Sequence, residues 1–376
     1  MALYIKDRLY LQITINGVEL PLDKLSIVKY LHISESVRSY LPTLSFHYID
    51  ATQFLTVNTL LTDGAQIRVS VGQDTLKRVF TFRKFNHKEI PSNGGKEYQI
   101  SAYLDSPQYW AASTFKAFSG TATDMLQQIA GACNLGFMGV GTTDSQVWMP
   151  YNTKYCEYAR QVSEHAWVND QSCIQLVVTG DKVMRMVNVS DLDSRKPKEL
   201  FSSKGDNIDS YPVTDFDVVA RSGFYNASSG YQDTLVVQSL LVSDNQNLSQ
   251  VSIRRNSQKV SISRDIKGLI TQSKVRFAPI DVGNVAPNYD KALYQNRRLS
   301  NLFNFGIEFN VPRIIDSNVL DTVSCELTKT GLTGVQEISG VFTIASKALY
   351  LRGMDIVQKV EVFRHGMNSV SDVSEF

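Results

Sequence analysis

The sequence predicts an α+β, mainly β protein. Two related antiparallel β-barrel-like domains flank a helix–helix–hairpin α+β insert. Three observations carry this. Short apolar–polar alternations separated by turn residues fill residues 1–110, the period becomes helical after Trp110, and alternation returns from about Asp206 with an echo of the first segment.

"LQITINGVEL" alternates Leu11, Ile13 and Ile15 against polar neighbours and turns at Asn16-Gly17, a dipeptide suited to a tight hairpin. "LTDGAQIRVSVG" turns at Asp63-Gly64 and then alternates Ile67, Val69 and Val71. "VFTFRKF" and "YQISAYL" add two strands, joined by a loop-like "PSNGG" at Pro91–Gly95. Such a series suits a small antiparallel sheet or barrel.

After Trp110, "GTATDMLQQIAGACNLG" puts Ala122, Met125, Leu126, Ile129 and Cys133 on one helical face. Thr121 and Asp124 fit a capping box with Asp in place of Glu, and Asn134 and Gly136 supply the stop. A second helix repeats Tyr155, Ala159, Val162 and Ala166, with Asn152 as its expected cap and Glu157, Arg160, Gln161 and Glu164 facing away. "SCIQLVVTGDKVMRMVNV" follows as a hairpin broken at Gly180-Asp181. The glycine-rich "GFMGVGTTD", Gly136–Asp144, reads as a linker.

The expected division is 1–110, 111–205 and a second β-domain from about 206, containing a more polar stretch at 241–290. "VTDFDVVARS" and "DTLVVQSLLV" read as strands, and "YDKALYQNRRLSNLF" reads as a helix. The end is strand, turn at Gly353-Met354, strand. "VFTF" at Val79–Phe82 is echoed by "VFTI" at Val341–Ile344, and each is followed by another alternating strand, Tyr98–Leu104 and Val357–Phe363.

The formal net charge of +1 argues against broad attraction to nucleic acid or anionic lipid, with Arg254-Arg255 and Arg297-Arg298 read as solvated surface. No apolar run reaches the length of a membrane-spanning helix, and Lys6, Asp7 and Arg8 interrupt the amino terminus, so synthesis in the cytoplasm is expected. Cys133, Cys156, Cys173 and Cys325 are scattered without a C-x-x-C pair, a poor pattern for zinc or a disulfide framework.

Catalytic chemistry is sought at Arg364-His365-Gly366, a triplet that in histidine phosphatases presents a phosphate-accepting histidine. Only "MNSVSDVSEF" follows, without a basic residue or second histidine to hold a transferring phosphoryl group. His32, His47, His87 and His165 lack metal-ligand spacing, and His165 beside Glu164 on a helix does not make a pair. Asp191 and Asp193 lie in a polar turn-like segment, and no phosphate loop or nucleophile elbow is present. The expectation is no catalytic residues, no cofactor-binding residues, no metal and no cofactor.

The arrangement resembles the baseplate or tail hub proteins of tailed bacteriophages, a family shared with the N-terminal part of type VI secretion spike proteins. "ISESVRSYLPTLSFHYID" and "LLTDGAQIRVSVG" resemble the first hub domain. "GTATDMLQQIAGACNLGF" and "YNTKYCEYARQVSEHAWVNDQSCIQLVVTGDKVMRM" resemble the insert, and "SGVFTIASKALYLRGMDIVQKVEVFRHG" the closing strands. The resemblance implies that an insertion subdomain at 241–304 interrupts a second hub domain made of 206–240 with 305–376, and that the chain is a virion protein of the tail baseplate or tail tip. It implies a homotrimer in which two similar domains per chain give pseudo-sixfold symmetry, matching the hexameric tail tube on one side and the trimeric central spike on the other. Other baseplate proteins and the tape measure protein are implied partners. Type VI spikes continue into an oligonucleotide-binding-type barrel and a β-helix, and the sequence stops at Phe376 without either, so a stand-alone phage hub with a separate spike polypeptide is expected. A type VI-like spike hub and a tail-tip protein of a non-contractile phage are the alternatives.

Overall fold

The computed structural model describes residues 3–5, 9–22, 27–73, 75–92, 95–169, 172–190, 195–203, 210–221, 234–239, 248–252, 275–280, 305–331, 334–352 and 355–364. Strands β1 (Leu3–Ile5), β2 (Leu9–Ile15) and β3 (Val18–Glu19) open the chain. Asn16 and Gly17 both take positive φ, 49° and 82°, the mirror-image turn that matches strand twist. They are followed by β4 (Ile27–Ser36), β5 (Thr43–Asp50), the short helix α1 (Phe54–Val57), β6 (Gln66–Gln73), β7 (Leu76–Ser92) and β8 (Gly95–Leu104). Buried Asp50 accepts the backbone N–H groups of Phe54 and Leu55, both at 2.8 Å, which satisfies the start of α1. The expected loop at Pro91–Gly95 is narrower, because Pro91 and Ser92 extend β7 and Gly95 begins β8. Ile67, Val69 and Val71 point into one core with Leu11, Ile13, Phe46 and Phe82.

The next segment contains α2 (Pro107–Ala111), β9 (Ser113–Thr114), β10 (Phe118–Gly120), α3 (Ala122–Ala132), β11 (Gly136–Gly139), β12 (Gln146–Trp148), β13 (Thr153–Lys154), α4 (Tyr155–Glu164), β14 (Ile174–Val178) and β15 (Val183–Asn188). The capping box forms: Thr121 accepts from the Asp124 N–H, and the Asp124 carboxylate accepts from the Thr121 N–H at 3.0 Å. Asn152 does not cap α4; the N-cap is Lys154, and Asn152 takes a left-handed φ of 54° in the turn before β13. Nor is Gly136–Gly139 a linker, since β11 pairs in parallel with β15. Buried Asp144 holds this region closed by accepting from Ala122 N and Trp167 N, both at 2.9 Å. The β14–β15 hairpin lies between two cores. Ile174, Val178, Met184 and Met186 join the helical core, and Cys173, Val177 and Val187 the core of the final strands. Burial on both faces explains its unbroken apolar run.

The remaining strands are β16 (Leu200–Ser202), β17 (Ser210–Pro212), β18 (Asp215–Arg221), β19 (Thr234–Ser239), β20 (Leu248–Ser252), β21 (Val275–Ile280), β22 (Phe305–Val311), β23 (Thr322–Gly331), β24 (Gly334–Arg352) and β25 (Asp355–Arg364). From the 206–240 segment, β19 pairs with β20 and β21 in a separate three-stranded sheet. The expected helix at 289–303, the arginine pairs 254–255 and 297–298, Asp191 and Asp193 lie outside the described residues.

Two five-stranded sets carry the same connectivity. In the first the spatial order is β6-β7-β8-β5-β4; in the second it is β23-β24-β25-β22-β18. Each number in one order has the same rank as its counterpart in the other. The second strand of each set carries a bulge at a matching place, after Lys84 in β7 and after Ile344 in β24. Both sets belong to one sheet, because the second half of β24 also pairs with β4, from Ser346↔Ser36 to Arg352↔Tyr30. Among the described residues neither set closes into a barrel: β6 pairs onward with β2, β4 with β24 and β23 with β16.

From Ser346 to Arg352, strand β24 is thus paired on both sides, with β25 and with β4. Ala348→Pro removes a ladder donor from a central strand. The expected outcome is loss of the cooperative thermal transition, read by circular dichroism.

Candidate functional site

Where the β4–β24 pairing ends, Glu35 and Lys347 face each other across the two strands at 3.3 Å, and both are almost fully buried. A buried ion pair needs its remaining donors and acceptors filled. Lys347 Nζ also donates to Ser317 O at 2.9 Å and Asn318 Oδ1 at 3.1 Å. Glu35 Oε2 accepts the backbone N–H of Gly180 at 2.8 Å, in the turn between β14 and β15. Arg78 of β7 donates to Asn318 Oδ1 at 3.2 Å and to Asp316 O. Burial pulls the Lys347 pKa down, and the Glu35 carboxylate opposes that pull.

Position 180 has to be glycine for reasons of space. A Cβ there would sit 2.4 Å from the Phe80 ring and 3.3 Å from the Glu35 carboxyl. A second node lies one strand away. Arg185 of β15 donates to Asp321 at 2.6 Å and to Val319 O at 2.7 Å, and Lys198 reaches the other Asp321 oxygen at 2.7 Å. Burial alone would raise the Asp321 carboxyl, but bonds from Lys198 and Asn318 and the Arg185 charge outweigh it and hold it below the usual range. Both nodes were missed in the sequence, because nothing local distinguishes Glu35 or Lys347 from solvated strand residues.

Beside them a cleft of about 490 Å³ opens between the β4–β5 connection, α4, β14 and β25. Arg160 lies over the Tyr40 ring at 4.8 Å, and Arg38 meets Glu361 at 3.4 Å. Cys156 and Tyr109 line its floor, and burial raises the pKa of each, so both stay protonated near neutral pH. Cys133, nearby, is pushed up to about 12 by the same cause.

The residues flagged for chemistry are dispersed. His32 stacks on Tyr350 with centroids 4.5 Å apart, and burial lowers its pKa. His47 sits 3.4 Å from Glu97, and His87 is 3.2 Å from Lys84 Nζ. His165 engages the Gln161 carbonyl of its own helix at 2.7 Å. Among the described residues no group of three or more His, Cys, Asp or Glu could hold a metal ion. Arg364 is buried between aromatic rings, 5.0 Å from Phe305 and 4.8 Å from Phe342, and donates to Ser339 O at 2.7 Å. That guanidinium is committed to packing; His365 and Gly366 lie outside the described residues. No helix among the described residues is long and apolar enough to cross a membrane.

No family model and no curated protein matches the chain. Solved structures do. The 43 kDa tail protein of prophage MuSo2 from Shewanella oneidensis superposes with a TM-score of 0.64 at 11% identity, over 95% of this chain and 98% of that one. A tail protein from Neisseria meningitidis MC58 gives 0.60 at 8% identity, over 95% and 96%. The fold is that of phage tail proteins. It also occurs in a Francisella PdpA–VgrG complex, with a TM-score of 0.55 at 13% identity, where 98% of this chain covers 59% of the other. The tail-protein fold therefore spans the whole arrangement of β-set, helical insert and second β-set.

Two outcomes test the nodes. Glu35→Leu or Lys347→Met alone strands a buried charge and costs about 3–5 kcal/mol in urea unfolding, whereas the double variant recovers most of it. Because the Asp321 pKa is lowered on folding, its stabilisation is present above the unfolded carboxylate value and is lost as pH falls through the folded one. Asp321→Asn should therefore be less stable than the parent at pH 7, with the difference shrinking as the pH falls below the usual carboxylate range.

Proposed function

We propose that the chain is a structural baseplate or tail hub of a tailed phage, a homotrimeric symmetry adaptor between the hexameric tail tube and the trimeric central spike. The observation that carries this is the repeated strand order. A chain containing two equivalent β-units supplies six such units when three copies assemble, and presents threefold symmetry elsewhere. The full-length likeness to tail proteins supports it.

On this proposal 1–110 is the first hub domain, 111–205 the insert, 206–240 with 305–376 the second hub domain and 241–304 its insertion, with β19 drawn into the insertion's sheet. The buried nodes fix the insert against both units and perform no catalysis. Other baseplate proteins and the tape measure protein are further partners, and the site of action is the virion tail.

Light scattering on the purified protein, alone and mixed with tube and spike proteins, should report the mass of three chains, and antibody labelling should place it at the tail end. A strictly monomeric protein absent from assembled tails would overturn the proposal. His365→Ala should leave assembly unchanged; loss of a phosphatase turnover on this substitution would favour the enzyme instead.

A further inference from the structure

A second recess, of about 250 Å³, lies on the seam between the insert and the second β-unit. On the insert side it is formed by Met138 of β11, the Asp181 turn, and Val183 and Arg185 of β15. Leu320, Asp321 and Thr322, at the entry to β23, form the facing side. Arg195, Lys196 and Lys198, all exposed, complete the lining. Their backbone is held in place. Pro197 fixes its own φ, Lys198 N–H donates to Thr322 O at 2.9 Å, and Glu199 O accepts from Ser324 N–H at 2.9 Å. The basic run is therefore anchored beside β23, which lowers the ordering cost of any contact it makes.

Four cationic side chains line this recess against two carboxylates, and both carboxylates are already engaged. Asp181 accepts from Thr179 Oγ1, and Asp321 accepts from Arg185, Lys198 and the Asn318 N–H. The cations are not used up in the same way. Among the described residues Arg195 and Lys196 have no hydrogen-bond or ion-pair partner. The Arg185 side chain is only 8% exposed. Its two terminal nitrogens hold Val319 O and Asp321, while its Nε is buried without a partner. A buried donor left unpaired costs more than an ordinary hydrogen bond contributes, so such an atom in a charged recess points to an acceptor from outside the chain.

We propose that the recess binds the carboxylates of an acidic, partly apolar segment of a partner protein. Its positive excess selects for anions, and bonds from guanidinium and ammonium groups to carboxylates belong to the strong, charge-assisted class. Each exposed ion pair is weak on its own, so the fitting ligand carries several carboxylates along one chain rather than a single charge. Met138, Val183 and Leu320 add apolar contact between the charges, which suits the side chains of a peptide and not a phosphate backbone. The formal net charge of +1 also gives no broad field to draw in a nucleic acid. Because the lining comes from both the insert and the second unit, an occupied recess ties the two together. Nothing in the contact requires three copies, so it stands or falls separately from the trimeric hub assignment.

Fluorescence anisotropy of a labelled oligoglutamate peptide tests it on the full chain. The peptide should bind at low salt and be released at high salt, and its oligoglutamine counterpart should not bind. Arg195→Ala with Lys196→Ala should weaken binding about tenfold, the combined loss of two exposed ion pairs, with the circular dichroism spectrum retained. The charge-preserving exchange Arg195→Lys with Lys196→Arg should keep most of the affinity. Lys77→Ala with Lys88→Ala, which removes two exposed cations from the first β-unit, should leave it unchanged. Equal loss in the two alanine pairs would show attraction to net charge alone and overturn the site, as would undiminished binding without Arg195 and Lys196. Absence of oligoglutamate binding at low salt would overturn the proposal outright. Tighter binding of a single-stranded oligonucleotide of the same charge, or displacement of the peptide by an equal charge of inorganic phosphate, would overturn the choice of ligand.

Discussion

The Glu35–Lys347 pair is the constraint on which the rest of the arrangement depends. It lies at the end of the strand pairing that, among the described residues, joins the two five-stranded sets, and it is almost fully buried. Two charges in that position are costly to desolvate, and neither can be left alone. Each Glu35 oxygen and each Lys347 donor has a partner, and beyond the pair itself these come from other parts of the chain: the Gly180 turn, Ser317 and Asn318. The pair thereby turns a favourable but unspecific apolar contact into a single allowed arrangement of three segments. Closure of the Phe80–Gly180 gap to the point where no Cβ fits shows how tightly that arrangement is held.

From this node the architecture extends in two directions. Along the sheet, β24 is long enough to serve two partners in turn, β23 in its first half and β4 in its second, with the bulge after Ile344 close to the changeover. A bulge increases local twist and re-aims the strand. Across the sheet, the β14–β15 hairpin inserts between the helical core and the second core, and Arg185 and Asp321 fix it there. The insert is therefore integral to the fold: its hairpin contributes side chains to a core that otherwise belongs to the final strands.

Much of this was legible in the sequence where the determinants are local. The Asn16-Gly17 turn, the Thr121/Asp124 capping box, the face of α3 and the closing alternation of Val360 and Val362 depend on neighbours in the chain, and each is found as read. What escaped depends on distant pairing. Gly136–Gly139 looks like a linker because its strand character comes from β15, more than forty residues on. Asn152 looks like a cap because Asn favours caps, yet the β9–β13 pairing fixes the entry to α4 instead. Buried charges such as Lys347 carry no local mark at all, since an alternating strand with a lysine on it reads as half-solvated. The four-letter echo of Val79–Phe82 at Val341–Ile344 was a trace of something larger, a repeated order of five strands that only the pairing reveals.

The two units share an order of strands but not a set of side chains, and that difference has a physical consequence. In the first, the row beyond the bulge reads Asn86, Ser101, Ser45, His32; in the second it reads Ser346, Glu361, Glu308, Asp217. The backbone can thus repeat a geometry while the surface chemistry alternates between nearly neutral and acidic. Arg364 belongs to the same logic. At the end of β25 its guanidinium is held between Phe305 and Phe342 and bonded to Ser339 O, so the residue that most suggested chemistry serves to close the second unit.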